Sequence, residues 1–127
     1  VSVDVDCDGD ALLVQASPRG PTCHLQRASC FDSAPGATLA ELSALVEARA
    51  TLRPEGSYTT KLFEGGVRRI AQKVGEEGVE TALASVAEDD DALLGEAADL
   101  VFHLLVLLRA RGLGLEDVEA KLRTRRR

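Results

Sequence analysis

The fold of this chain is decided by two stretches: residues 73–87 read KVGEEGVETALASVA, and residues 92–108 read ALLGEAADLVFHLLVLL. Apolar residues recur in both at helical spacing, and the acidic turn at 88–91 separates them. Because this connection is short, we predict that the two helices pack antiparallel. The second stretch is apolar on nearly every side after Asp99, which is typical of a helix at the centre of a bundle or in an interface between subunits.

Further helices extend outward from this pair. Thr38 and Glu41 form a capping-box pattern, and Pro54 stops the helix that follows. Gly112 ends the apolar helix, and a short amphipathic stretch follows it. The predicted fold class is therefore mainly α, a helical bundle that we expect to be dimeric, with helices over 38–52, 67–87, 92–111 and 115–125.

The first residues have a different pattern. Val1–Asp6 alternates with period two, and Ala11–Val14 follows an Asp-Gly turn, so we predict a β-hairpin or two strands around a tight loop. Two strands do not form a core alone, so this segment needs partner strands. We expect three parts: a β segment at 1–34, a linker at 35–37 and a helical domain at 38–127.

Composition excludes several classes of function. The chain has 127 residues, 45% of them hydrophobic, and a net charge of −6, so it has no general attraction to nucleic acid or to an anionic membrane. Its longest apolar run, residues 100–108, is too short to span a bilayer, and no signal peptide is visible. Three cysteines favour thiols or metal ligands in a cytoplasmic protein. Because no Met is present, we expect a fragment or a processed product.

Acidic residues mark a candidate metal site. Between Val74 and Leu108 there are nine acidic residues and no Lys or Arg. Counted outward from the turn, Glu80 lies level with Glu96, and Glu77 with Asp99. Carboxylates that face each other in a bundle need a counter-charge, and Mg²⁺ prefers oxygen ligands. Solvated helix faces are the alternative. The candidate catalytic residues are Glu76, Glu77, Glu80, Glu96 and Asp99.

Other polar residues surround these carboxylates. Lys61, Arg69 and Lys73 are candidates for binding the phosphates of a substrate, because cations beside a Mg²⁺ site suit a polyphosphate. His103 lies one helical turn beyond Asp99. It could support a metal ligand, act as a general base, or be a core histidine with satisfied hydrogen bonds.

Several motifs in 38–125 resemble a known family. Glu76-Glu77-x-x-Glu80, fifteen residues and then Glu96-x-x-Asp99 resemble the metal signature of the MazG-like all-α nucleoside-triphosphate pyrophosphohydrolases. The wider segments resemble phosphoribosyl-ATP pyrophosphohydrolase of histidine biosynthesis: 56–63 (GSYTTKLF), 73–77 (KVGEE) and 96–103 (EAADLVFH).

This resemblance implies hydrolysis of 1-(5-phosphoribosyl)-ATP to 1-(5-phosphoribosyl)-AMP and pyrophosphate. Glu77, Glu80, Glu96 and Asp99 would bind Mg²⁺, and Glu76 would be a further ligand or the base that orients water. A broader nucleoside-triphosphate pyrophosphohydrolase is the second interpretation. An inert helical dimerisation module is the third.

The first residues resemble another family, phosphoribosyl-AMP cyclohydrolase, in the segment 6–13 (DCDGDALL), in Cys23-His24 and in Ser29-Cys30-Phe31. The resemblance implies Zn²⁺ on three cysteines shared between two subunits, Mg²⁺ on three aspartates, and His24 as a proton carrier. The implied ligands are Cys7, Cys23 and Cys30 for zinc, and Asp6, Asp8 and Asp10 for magnesium. We expect no cyclohydrolase activity from this chain alone, since much of that domain is missing from it.

Overall fold

The computed structural model describes residues 2–15, 23–24 and 37–125. The chain divides into two compact units, Val1–Pro35 and Gly36–Arg127. Within the described ranges, no helix has the length and apolar character needed to cross a membrane.

The first unit contains the predicted hairpin. Strands β1 (Ser2–Val5) and β2 (Leu12–Gln15) pair antiparallel, with Val3 opposite Val14. The carboxylate of Asp6 closes the loop between them by accepting hydrogen bonds from the backbone N–H groups of Gly9 and Ala11, at 3.1 and 3.0 Å. All the apolar side chains described in the two strands are more than half exposed, as expected of two strands without a partner sheet: Val3, Val5, Leu12, Leu13 and Val14.

The second unit consists of four helices: α1 (Ala37–Leu52), α2 (Tyr58–Ala87), α3 (Asp90–Ala110) and α4 (Leu115–Arg123). Their number and order match the prediction. Helix α1 begins one residue earlier than predicted, so Thr38 lies in its first turn. Helix α4 begins at the expected residue, and the Asp117 carboxylate accepts a hydrogen bond from the backbone N–H of Gly114, at 2.8 Å.

The predicted start of α2 is wrong. We expected the helix from about Val67, but it begins at Tyr58, where the Ser57 hydroxyl accepts a hydrogen bond from the backbone N–H of Thr60. The helical path is interrupted at Gly66, whose φ of 75° and ψ of 174° lie outside the helical region. Only glycine adopts this conformation without strain. The residues from Tyr58 to the interruption at Gly66 therefore form a helical segment of their own.

Helices α2 and α3 form a helical hairpin with a two-residue connection. Residues 88–89 join them, and the Asp89 carboxylate caps α3 by accepting a hydrogen bond from the backbone N–H of Ala92, at 2.9 Å. This connection fixes the relative height of residues on the two helices. It is the reason that Glu77 of α2 and Asp99 of α3 lie at the same height along the hairpin.

The core lies where α1, α2 and α3 meet. It consists of side chains that are at most 4% exposed: Val46, Leu62, Ile70, Leu105 and Val106. Helix α3 is not buried on all sides within one chain, because Val101 and Leu104 are 37% and 39% exposed. One chain alone therefore does not bury α3 on all sides, and its burial by a second subunit stays a prediction.

Candidate functional site

Three carboxylates from two helices lie together. One oxygen of each of Glu77, Glu96 and Asp99 lies within 4.8 Å of the other two. Glu96 and Asp99 share a face of α3 because they are three residues apart, and α2 brings Glu77 to the same height. We call these three residues the carboxylate cluster.

Glu77 is the most buried member of the carboxylate cluster. Its side chain is only 7% exposed, and Lys73 supplies its counter-charge from one turn earlier on α2, with Nζ 2.8 Å from Oε1. The hydrogen bond from Lys73 is the main reason that the pKa of Glu77 is lowered. Conversely, hydrogen bonds to Glu77 and then to Glu76 raise the pKa of Lys73. Glu77 and Lys73 therefore face each other as charged groups at neutral pH.

Glu80 lies beside the carboxylate cluster rather than within it. It is exposed and belongs to the next turn of α2. The pKa of its carboxyl is raised, first by partial loss of surrounding water and then by the negative charges of Glu77 and Glu96. A carboxylate whose charge is opposed by its neighbours gains most from a nearby cation.

Glu76 faces a line of polar contacts along α2. Lys73 Nζ lies 2.9 Å from Glu76 Oε2, and Gln72 donates a hydrogen bond of 2.7 Å to Oε1. Arg69 in turn donates a hydrogen bond of 3.1 Å to the amide oxygen of Gln72. Arg69 and Lys73 are therefore linked to the same carboxylate, at the edge of the cluster. Lys61 is exposed and precedes the interruption of α2 at Gly66.

His103 has a partner at each ring nitrogen. Its Nδ1 lies 2.9 Å from the backbone carbonyl oxygen of Asp99, which only accepts, so Nδ1 carries a hydrogen. Its Nε2 lies 3.0 Å from the hydroxyl of Tyr58. The side chain is 5% exposed, and Nδ1 is also 3.6 Å from Glu77 Oε1. Of the three alternatives, this geometry favours a histidine that is satisfied by hydrogen bonds and supports the cluster.

The hydrogen bond between Tyr58 and His103 is the part of the site that the sequence did not predict. Tyr58 opens α2, and its ring lies 6.3 Å from that of Phe102, while Phe102 lies 5.1 Å from the ring of His103. Tyr58 and His103 are 45 residues apart in the chain, and no local spacing connects them. The predicted start of α2 at Val67 also left Tyr58 outside a helix, so its position could not be inferred.

The first unit has a separate acidic cluster. Asp6, Asp8 and Asp10 bring one carboxylate oxygen each to within 4.8 Å of one another, and all three are exposed. The pKa of Asp6 is lowered, chiefly by its hydrogen bond from the backbone of Ala11. Among the other residues singled out in this segment, Cys7 and His24 are exposed, Cys23 is buried and Cys30 lies outside the described residues.

The donors of the carboxylate cluster fit a hard divalent cation. All three are carboxylate oxygens, which Mg²⁺ prefers, and the cluster itself contains no sulfur or imidazole ligand. Among the described residues, the ammonium of Lys73 lies 2.8 Å from Glu77 Oε1, and Nδ1 of His103 lies 3.6 Å from the same oxygen. Three carboxylates with so little positive charge favour binding of a cation.

Comparisons with known proteins match the two parts of the chain to two families. The family model described as phosphoribosyl-ATP pyrophosphohydrolase matches residues 39–126, and that of phosphoribosyl-AMP cyclohydrolase matches residues 1–32. The chain is 71% identical over 125 residues to the histidine biosynthesis bifunctional protein HisIE of Xanthomonas axonopodis pv. citri, covering 98% of this chain and 61% of that protein. It is 54% identical over 127 residues to HisIE of Escherichia coli K12, covering 98% and 63%. The chain thus spans about three fifths of the length of these relatives.

The pKa directions predict the order in which two neighbouring glutamates titrate. In metal-free buffer we expect Glu77 to titrate below the ordinary value of 4.5, because Lys73 stabilises its charged form, and Glu80 to titrate above that value. Glu77 then stabilises the fold above pH 4.5, and this contribution is lost as the pH falls through its lowered pKa. Carboxyl ¹³C chemical shifts followed by NMR measure both midpoints. Titration of Glu77 above Glu80 would contradict the pairing with Lys73.

Proposed function

The chain belongs to the phosphoribosyl-ATP pyrophosphohydrolase family, whose model covers residues 39–126, and from this premise we propose that it hydrolyses 1-(5-phosphoribosyl)-ATP to 1-(5-phosphoribosyl)-AMP and pyrophosphate. The catalytic domain would be residues 38–127. As a biosynthetic enzyme that acts on a nucleotide, it would work in the cytoplasm.

The carboxylate cluster is the observation that carries this proposal. Glu77, Glu96 and Asp99 converge within 4.8 Å, and Lys73 is the ion-pair partner of the buried member. Hydrolysis between phosphates needs a cation that neutralises the polyphosphate, and this cluster offers oxygen ligands for one. The family uses metal ions, and we propose Mg²⁺ as the ion that these carboxylates bind.

Each side chain at the site then has a role. Glu77, Glu96 and Asp99 hold the metal, and Glu80 joins them from the next turn of α2. Bound Mg²⁺ neutralises charge on the phosphates and acidifies water. Glu76 is a further ligand or the base that orients the attacking water. Lys61, Arg69 and Lys73 bind phosphate oxygens, with Arg69 and Lys73 already linked to Glu76 at the edge of the cluster.

The first unit belongs to a second activity in our proposal. The HisIE relatives are named as bifunctional, and a cyclohydrolase model matches residues 1–32. We propose that Asp6, Asp8 and Asp10 bind Mg²⁺ in the complete bifunctional protein. Cys7, Cys23 and Cys30 would bind Zn²⁺ there, and the protein would also carry phosphoribosyl-AMP cyclohydrolase activity. Thiolates are suitable ligands for zinc and carboxylates for magnesium.

Turnover with a panel of nucleotides tests the proposed reaction. We expect pyrophosphate release from phosphoribosyl-ATP in the presence of Mg²⁺, and much slower release from dCTP, dUTP and ATP. Comparable rates on all four would favour a broader nucleoside-triphosphate pyrophosphohydrolase. No turnover on any of them would favour an inert helical module.

Two substitutions test the residues. Glu96→Gln and Glu80→Gln should each lower kcat/KM for phosphoribosyl-ATP by about a hundredfold or more, since even changes outside the ligand shell cost up to that. Circular dichroism should show the helical content unchanged. The matched control is Glu88→Gln, which removes the same charge from the exposed connection between α2 and α3 and should keep the wild-type rate. Wild-type rates in the Glu96 variant would overturn the role of the cluster.

We also propose that the chain forms a homodimer through the outer face of α2 and α3. Val79, Leu83 and Val86 repeat at helical spacing along α2 and are 61%, 57% and 82% exposed. Leu94 and Val101 of α3 are 68% and 37% exposed. Exposed apolar side chains in such a row are typical of an interface, and a second copy of the chain brings an identical surface.

A charged residue in this row should separate the subunits. We expect wild-type protein at about 10 µM to sediment as a dimer and Leu83→Glu to sediment as a monomer, because the dimer would bury an unpaired carboxylate. Leu122→Glu is the control, since Leu122 is 56% exposed but lies on α4. Sedimentation of the wild type as a monomer would contradict the proposal.

A further inference from the structure

Lys73 and a metal bound at the carboxylate cluster would compete for the same carboxylate, that of Glu77. Its ammonium lies 2.8 Å from Glu77 Oε1, on a residue of the carboxylate cluster. An ammonium and a divalent cation that share one carboxylate repel each other, and the repulsion is strong where little water screens it. The Glu77 side chain is only 7% exposed. When the cluster binds a metal, the contact between Lys73 and Glu77 is therefore weakened by repulsion between the ammonium and the cation.

Lys73 has a second carboxylate within reach. Its ammonium also lies 2.9 Å from Glu76 Oε2. Glu76 is not one of the three residues of the carboxylate cluster, and its side chain is 40% exposed. Lys73 can therefore give up Glu77 and remain paired at the edge of the site, provided that Glu76 has the second of the two roles proposed for it above, that of the base, and is not itself a metal ligand.

We propose that Lys73 is an exchangeable counter-ion, which contacts both Glu77 and Glu76 in the metal-free protein and keeps only its contact with Glu76 when the carboxylate cluster binds a divalent cation. This inference rests on the proposed function, since it requires that the cluster binds a metal. Released from Glu77, the Lys73 ammonium has hydrogens free to donate to a phosphate oxygen. Lys73 then couples the two binding events: metal binding frees it, and phosphate binding holds it away from Glu77.

This coupling has a reciprocal consequence. A group that opposes metal binding when the substrate is absent, and binds phosphate when the metal is present, makes each ligand raise the affinity for the other. The substrate-free protein then binds metal weakly. Metal and substrate together bind more tightly than the sum of their separate binding free energies predicts. A lysine that bound phosphate without contacting Glu77 would change the metal affinity of the substrate-free chain little.

Metal affinity of the substrate-free chain tests the exchange. We expect Lys73→Gln to bind Mn²⁺ about fivefold more tightly than the wild type, a modest electrostatic coupling, measured by the EPR signal of free Mn²⁺. Arg69→Gln removes a positive charge from the same face of α2 but not from Glu77, and Lys121→Gln removes one from α4. Both controls should stay within about twofold of the wild type. Equal or weaker binding by Lys73→Gln would overturn the inference.

A second measurement uses the wild-type chain, so that it does not depend on the folding of the variant. The sequence contains three lysines, Lys61, Lys73 and Lys121. An amine held between two carboxylates reacts slowly, so we expect Mg²⁺ to increase acetylation of Lys73 severalfold, read by mass spectrometry, and to leave Lys61 and Lys121 unchanged as internal references. Acetylation of Lys73 that does not respond to Mg²⁺ would overturn the exchange.

The two proposals fail in distinguishable ways. If the wild type shows no saturable Mn²⁺ binding at the cluster, the proposed function and the exchange are both overturned. If the wild type binds Mn²⁺ and turns over phosphoribosyl-ATP while Lys73→Gln has no higher affinity, only the exchange is overturned.

Discussion

The nearly buried charge of Glu77 dictates the arrangement of the side chains around it. A carboxylate with 7% of its side chain exposed, beside those of Glu96 and Asp99, needs positive charge close by. Lys73 supplies part of it from the preceding turn of α2. A single positive charge is less than three carboxylates require, and this shortfall is the physical basis of the metal and polyphosphate binding that we propose.

The helical hairpin makes this concentration of charge possible. A connection of two residues sets α2 against α3, so the carboxylates meet at one height. Apolar contacts of Ile70, Leu105 and Val106 supply the free energy that holds the helices together. Next to the carboxylate cluster, the ring of His103 is held between the Asp99 carbonyl and the Tyr58 hydroxyl. The site is thus built on rigid helices, with its supporting contacts in the core.

The sequence predicted most of this arrangement because its signals are local. The spacing of Glu96 and Asp99 and the short acidic turn determine which carboxylates can meet, and both are read directly from the chain. The predicted start of α2 was wrong because it did not treat Ser57 as a helix cap, whereas the Ser57 hydroxyl accepts a hydrogen bond from the backbone N–H of Thr60. The contact between Tyr58 and His103 depends on tertiary packing across 45 residues, which no local pattern encodes. The exposure of Val101 agrees with the interface alternative for α3, but an apolar sequence does not say which partner covers it.

The position of a bound metal tests the central claim most directly. Crystals of the full chain grown with Mn²⁺ and measured at the manganese absorption edge would locate the ion by its anomalous scattering. We expect an anomalous peak between α2 and α3, within coordination distance of Glu77, Glu96 and Asp99. A saturated crystal with no peak at these three carboxylates would contradict the account.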